Sequence, residues 1–179
     1  MIDFTHHSLE TAPAKSKALL QGVQQEYGFV PNLFWPMAEA PTTIEAYLTL
    51  NQLISQSSLT PAQQQTALLA VSTLNECDFC TIAHSALGKM NKVKAQTISA
   101  LRCGGEIEDP QDRALAQLAQ SFVSNRGWVP DADLQTFLDA GFTKQQVFEV
   151  ILIVTIKTLS NYTNHITKPE PNPELLEML

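Results

Sequence analysis

The sequence predicts an all-α fold of about eight helices, and three observations carry that prediction. Nearly every segment boundary has helix-start or helix-stop chemistry. No alternating apolar and polar run sits beside a hairpin dipeptide. The stretch richest in β-branched residues, Val150-Ile151-Leu152-Ile153-Val154, lies inside a long segment opened by a capping box. With 179 residues, 44% of them apolar, one compact domain over 1–179 is expected.

Pro13 opens a first helix that ends at Gly28, with Leu19, Leu20, Val23 and Tyr27 on its apolar side. Gly28 to Asn32 is a connector, and Pro41 starts a second helix carrying Ile44, Tyr47, Leu48 and Ile54. Thr60-Pro61-Ala62-Gln63 is a capping box ahead of Ala67, Leu68, Val71 and Leu74. Asn75 is read as the cap of a helix reaching Gly88, and Asn91 as the cap of one through Leu101, closed by Gly104-Gly105. Asp109-Pro110 opens the next, with Leu115, Leu118, Phe122 and Val123 inside, and Pro130 a short one ending at Gly141. Thr143-Lys144-Gln145-Gln146 caps the last long helix, whose apolar centre needs cover on every side; a subunit interface is one source of it. The tail, about 167–179, holds Pro169, Pro171 and Pro173 and is expected to be irregular.

Composition narrows the function. Eleven basic residues stand against eighteen acidic ones, a net charge of −7, and no basic cluster offers itself to phosphates or to an anionic membrane face. Nucleic acid and membrane are therefore not expected partners. The N-terminus lacks a basic start followed by an apolar run, and the longest apolar stretch is far short of the roughly 20 residues that span a bilayer. Three cysteines, two of them three apart, suit redox or metal chemistry in a reducing cytoplasm better than a secreted disulfide scaffold.

The chemistry concentrates in Asn75-Glu76-Cys77-Asp78-Phe79-Cys80-Thr81-Ile82-Ala83-His84. On a helix, Cys77, Cys80 and His84 form one stripe, and Cys80 with His84 is an i, i+4 pair about 5–6 Å apart at Cβ. A neutral imidazole at that spacing can accept a thiol proton, and a cysteine in the first turn gains from the unpaired N–H groups and the dipole. Three readings fit the stripe. The residues can be packed groups without chemistry. They can be zinc ligands, with Cys103, His6 or His7 as a fourth. Or they can be a working dithiol with a base. Zinc sites usually draw on two separated elements, and no second close pair exists here, which favours the dithiol.

These residues resemble the AhpD-like alkylhydroperoxidase and carboxymuconolactone decarboxylase superfamily. The segment Phe29-Val30-Pro31-Asn32-Leu33-Phe34 with Pro41, the stretch Leu69-Ala70-Val71-Ser72 leading into the cysteine motif, Gly104-Gly105, and Asn161-Tyr162-Thr163-Asn164-His165-Ile166 carry the resemblance. It implies an AhpD-like helical fold and a homo-oligomer, commonly a trimer or hexamer. It also implies reduction of small hydroperoxides through the cysteine pair, with no cofactor. Cys80 matches the attacking thiol, Cys77 the resolving thiol, and His84 the proton relay. An external thiol system, lipoyl or thioredoxin-like, would restore the dithiol. The decarboxylase branch generally lacks the cysteine pair, so a non-redox lyase is the lesser alternative, beside a metal-binding or interaction role for Cys77, Cys80 and His84.

Two departures from the family pattern stand out. The glutamate expected twelve residues before the first cysteine is Gln65, which can orient His84 or a water but cannot accept a proton. The relay would then use Glu76 or run without a carboxylate. Some relatives carry a histidine between the cysteines where this chain has Phe79, expected as an apolar wall. Cys103 is expected as a packed thiol, Trp35 and Trp128 as core or interface anchors, and His165 as complementing a helix C-terminus.

Overall fold

The structure is a computed structural model and describes residues 2–179. Ten helices and no strand occur among the described residues: α1 Ala14–Tyr27, α2 Phe34–Met37, α3 Pro41–Ser55, α4 Pro61–Leu74, α5 Asp78–Met90, α6 Ala95–Cys103, α7 Pro110–Ser124, α8 Asp131–Asp139, α9 Lys144–Thr167 and α10 Pro173–Glu177. The all-α expectation holds, and the two additional helices, α2 and α10, are too short to leave a periodicity in the sequence.

Helix α4 is the hub. Eight of its residues, from Gln64 to Ser72, are buried, and it packs against α5, α6, α7 and α9. Both capping boxes form: Thr60 accepts from the Gln63 N–H, Thr143 from the Gln146 N–H, and each glutamine side chain answers its cap. Gly28 closes α1 in the left-handed region, φ 81°, where a Cβ would be unfavourable. Three apolar clusters result. One joins α1 to α3 with Cys77, Phe79 and Cys80; a second joins α4, α7, α8 and α9; a third lies under α6.

Several expectations are corrected. Asn75 does not cap α5; it ends α4, and Asn91 ends α5 rather than opening α6, whose cap is Lys94. Asparagine suits both helix ends, and sequence alone does not say which. The tail is not irregular: α9 runs to Thr167, α10 packs on α5, and buried Asn172 accepts from the Asn32 N–H at 2.7 Å. Cys103 is exposed, because α6 turns Thr97, Ile98 and Leu101 inward and Cys103 projects away from them. Trp128 is 88% exposed and anchors nothing within this chain, whereas Trp35 is half-buried and donates to Asn32. The apolar centre of α9 is helical as expected but covered on one side only. Val150, Ile153 and Ile156 are buried while Phe148 is 72% exposed.

Candidate active site

The site begins with the turn between α4 and α5. Glu76 adopts φ 53°, the Glu76 N–H donates to the Thr73 carbonyl and the Cys77 N–H to the Ser72 carbonyl, both at 3.0 Å. This is a Schellman closure of α4 with a glutamate in the left-handed position usually held by glycine or asparagine. Cys77 thereby ends one motif and caps the next helix, and α5 starts at Asp78. The order of the cysteines is thus reversed from the expectation: Cys80, not Cys77, lies in the first turn, where free N–H groups favour an anion.

Both cysteines are free thiols and buried, and Phe79 packs beside them as the apolar wall expected. The opposite wall is α9, whose Lys157, Asn161 and Asn164 fall at i, i+4 and i+7 and are all buried. Asn164 Nδ2 donates to Cys80 Sγ at 3.2 Å and stands 3.7 Å from Cys77 Sγ. Asn161 Oδ1 accepts from Asn75 Nδ2 at 2.9 Å, tying the turn to α9. Two buried atoms here, Asn161 Nδ2 and Asn164 Oδ1, have no hydrogen-bond partner among the described residues.

Lys157, 1% exposed, donates from Nζ to His84 Nε2 at 3.0 Å, and it lies on the same α9 stripe as Asn164, which donates to the Cys80 sulfur. His84 Nδ1 meets Gln65 Oε1 at 3.0 Å. These two contacts fix the tautomer: Nε2 accepts from the lysine, so Nδ1 carries the hydrogen and donates to the amide oxygen. Neither ring nitrogen faces a sulfur. The direct His84–Cys80 hydrogen bond expected from the i, i+4 spacing is therefore not formed.

The electrostatics follow. A hydrogen bond from the Cys77 thiol, then the charge and hydrogen bond of Lys157, hold Cys80 well below the ordinary thiol value of 9.0, against the desolvation of its burial. The same hydrogen bond and burial push Cys77 well above 9.0. Burial, then the neighbouring Lys157 charge, depress His84 well below 6.5, so the imidazole is neutral at pH 7. Tyr47 of α3, half-buried near Cys80, is raised by desolvation and by that sulfur's charge. The pair is asymmetric: Cys80 is held toward its thiolate and Cys77 toward its protonated form.

The remaining sequence candidates divide. Gln65 is at the site, bonded to His84 rather than exposed in its glutamine run. Glu76 is exposed and lines a cleft of roughly 530 Å³ with Asn75, Cys77, Asp78, Asn164 and Lys168, and His84 is not among the residues lining it. It makes no hydrogen bond to the relay. His165 also lines this cleft. The zinc ligand set is not assembled: His6 bonds the Thr167 carbonyl, His7 bonds Glu39, Cys103 faces solvent, and no group of three or more candidate ligands converges among the described residues. Lys157 was not anticipated. Its signal was there: a lone lysine followed by Ser160, Asn161 and Asn164 on the core stripe of an otherwise apolar helix.

Residues 41–107, from α3 through the thiol helix to the loop after α6, match the carboxymuconolactone decarboxylase family. The whole chain superposes on an alkylhydroperoxidase AhpD-core, peroxidase-related protein from Ralstonia eutropha JMP134, with TM-score 0.84, 24% identity, and coverage of 97% of this chain and 93% of that one. The match makes the central segment similar to that family, and the superposition shows an AhpD-like fold. A second relative in structure, a peroxidase-related protein from Silicibacter sp. TM1040, gives TM-score 0.80 at 18% identity over 98% and 93% of the two chains. The debrominase Bmp8 shares the fold at TM-score 0.74 and 15% identity over 92% and 91%. No curated protein matches the chain in sequence. Lys157, Asn161 and Asn164 lie outside the matched segment, so half of this AhpD-like site comes from a helix the family match does not include.

Proposed function

We propose that the chain is a thiol-dependent peroxidase that reduces small alkyl hydroperoxides through Cys80 and Cys77, with His84 in the buried polar network that serves the proton transfers. The observation that carries this reading is the asymmetric thiol pair: Cys80 at the first turn of α5, beside Lys157 and accepting from Asn164, with Cys77 as its hydrogen-bond donor. A low thiol value supplies nucleophile at neutral pH, and the partner held protonated is kept for the second step. Cys80 attacks a peroxide oxygen, the O–O bond breaks, and the sulfur becomes a sulfenic acid while the alkoxide takes a proton. The Cys77 sulfur then displaces water from it, forming the disulfide. The unpartnered Asn161 Nδ2 and Asn164 Oδ1 support a polar substrate, which would offer a hydroperoxide an N–H donor and an acceptor for its O–H.

A second substrate thiol pair is needed to restore the dithiol, and a lipoyl or thioredoxin-like reductant in the cytoplasm fits that need. Attack on Cys77, which lines the cleft, would expel Cys80 as the better leaving thiolate. A homo-oligomer belongs to the same reading. Among the described residues no helix is long and apolar enough to cross a membrane. One equivalent of peroxide should convert Cys77 and Cys80 to a disulfide, read by thiol titration and peptide mapping. An oxidised protein that still alkylates at both positions sinks the proposal. Turnover of a lactone acid by a chain lacking both cysteines would move it to the decarboxylases, and peroxide inertness with reduction of a brominated pyrrole would move it to dehalogenation.

A further inference from the structure

We infer that Lys157, rather than His84, takes the proton from the Cys80 thiol and delivers it to the oxygen that leaves, with His84 and Gln65 positioning the lysine. The inference rests on the dithiol reading above. It stands on the connectivity of the relay. Both His84 nitrogens are occupied, Nε2 by Lys157 and Nδ1 by Gln65, so the ring has no lone pair for a sulfur. The chain beyond His84 ends at an amide, which cannot accept a proton, so a relay running outward through His84 and Gln65 has no terminus. Lys157 has a route: its Nζ meets the imidazole one turn along α5 from Cys80, on the α9 stripe whose Asn164 donates to the Cys80 sulfur, and its charge acts on that thiol.

Burial points the same way. Lys157 is 1% exposed and makes no ion pair with a carboxylate among the described residues. A buried ammonium needs a counter-charge, and the only one that can form beside it is the Cys80 thiolate. The titratable groups around this pair are Cys77 and His84 from α5 and its cap, and Tyr47 from α3, which faces Cys80. None of these three is an anion at neutral pH.

The cycle balances on this chain alone up to the disulfide. The Cys80 proton moves to the Lys157 amine, giving thiolate and ammonium. The thiolate sulfur bonds the hydroxyl oxygen of the hydroperoxide, the O–O bond breaks, and its electron pair leaves on the alkoxy oxygen. The ammonium protonates that oxygen to an alcohol. Sulfur is oxidised by two electrons and the peroxide reduced by two, and the charge pair disappears as neutral sulfenic acid and amine. The Cys77 thiol then attacks, the S–O bond breaks, and hydroxide departs with the Cys77 proton as water. When an external dithiol reduces the disulfide, proton transfer from Cys80 to Lys157 restores the pair.

The test separates charge from proton transfer. Lys157→Met keeps the stem without the charge, and Lys157→Arg keeps a charge that cannot be given up. Iodoacetamide labelling of Cys80 in the reduced chain, followed by mass spectrometry from pH 5 to 9, reads the thiolate without any peroxide; circular dichroism establishes that each variant folds. Wild type should label with a midpoint well below the ordinary thiol value of 9.0. Lys157→Met should label at least tenfold more slowly at pH 7 and recover as pH approaches 9. Lys157→Arg should label within about threefold of wild type, yet lose at least tenfold in sulfenic-acid formation with peroxide. A His84→Ala chain should shift the labelling profile less than Lys157→Met. If Lys157→Met labels like wild type while His84→Ala does not, the assignment is overturned. If Lys157→Arg reduces peroxide as fast as wild type, the proton-delivery half is overturned. If labelling depends on Lys157 but wild type ignores every hydroperoxide, the lysine's role in ionising Cys80 stands and the peroxidase reading falls.

Discussion

Cys77 and Cys80 differ in their surroundings although they are three residues apart. Cys80 has the first-turn N–H groups, Asn164 and Lys157; Cys77 has the cleft and donates to its partner. Cys77→Ser should therefore still form a sulfenic acid on Cys80 with peroxide but stall before turnover, whereas Cys80→Ser should lose the peroxide reaction. Label from a sulfenic-acid trap on Cys77 in Cys80→Ser, with none on Cys80 in Cys77→Ser, would reverse the roles. The same groups set a pH dependence of stability. Below the ordinary histidine value of 6.5 the unfolded chain binds a proton at His84 that the folded chain does not, so stability falls as pH falls, by up to about 1.4 kcal/mol per pH unit. Cys80 acts in the same direction: its contribution is complete above its ordinary 9.0 and declines as pH drops through the lowered folded value. Cys77 opposes it above 9.0, where the unfolded chain releases a proton that the folded chain keeps. Urea midpoints should thus rise from pH 5 to about 9 and fall above it. A midpoint that is unchanged or higher at pH 5 than at pH 7 would contradict the neutral buried imidazole.

At the scale of elements, helix starts were legible where the cap is chemically one-sided. Thr60-Pro61, Asp109-Pro110 and Thr143 each have a side-chain acceptor before a helix, and proline at the first position tolerates no other register. Thr60→Ala should cost about 1 kcal/mol in thermal or urea unfolding, as loss of one cap does, while leaving the thiols' reactivity unchanged. A loss below a few tenths would mean that tertiary packing alone holds the start of α4. Legibility failed where one residue serves two ends. The left-handed backbone at Glu76 carries no sequence signature, so an Asn75 cap sets Cys77 two residues too deep into α5 and credits the wrong cysteine with the helix terminus. It failed again at Lys157, because a lysine on a helix reads as solvated until its neighbours on the stripe are known to be inside.

For the whole molecule, the outer face of α9 is the open question that chemistry can answer. Phe148, Ile151, Tyr162 and Ile166 share one stripe and are 72%, 39%, 60% and 61% exposed. Their opposite side reaches the site through Lys157, Asn161 and Asn164, so one helix presents an apolar face outward and a polar stripe inward. An oligomer that covers the outer stripe is the expected state in solution. Sedimentation at micromolar concentration should find no stable monomer for wild type, and Phe148→Asp with Ile151→Asp should produce smaller species. A folded wild-type monomer under those conditions removes the claim.

The distance in sequence between the thiols and α9 has a consequence for synthesis. Asn164 is 84 residues beyond Cys80, and Lys157 is 73 beyond His84. At about 5–20 residues per second, a growing chain exhibits the two cysteines for roughly 4 to 17 seconds before the helix that ionises one of them has been made. During that interval neither sulfur has its ammonium or its amide donor, and both behave as ordinary thiols, mostly protonated at neutral pH. Reactivity is thus acquired only when α9 docks, which spares the nascent chain from oxidation at the very residues it will later use.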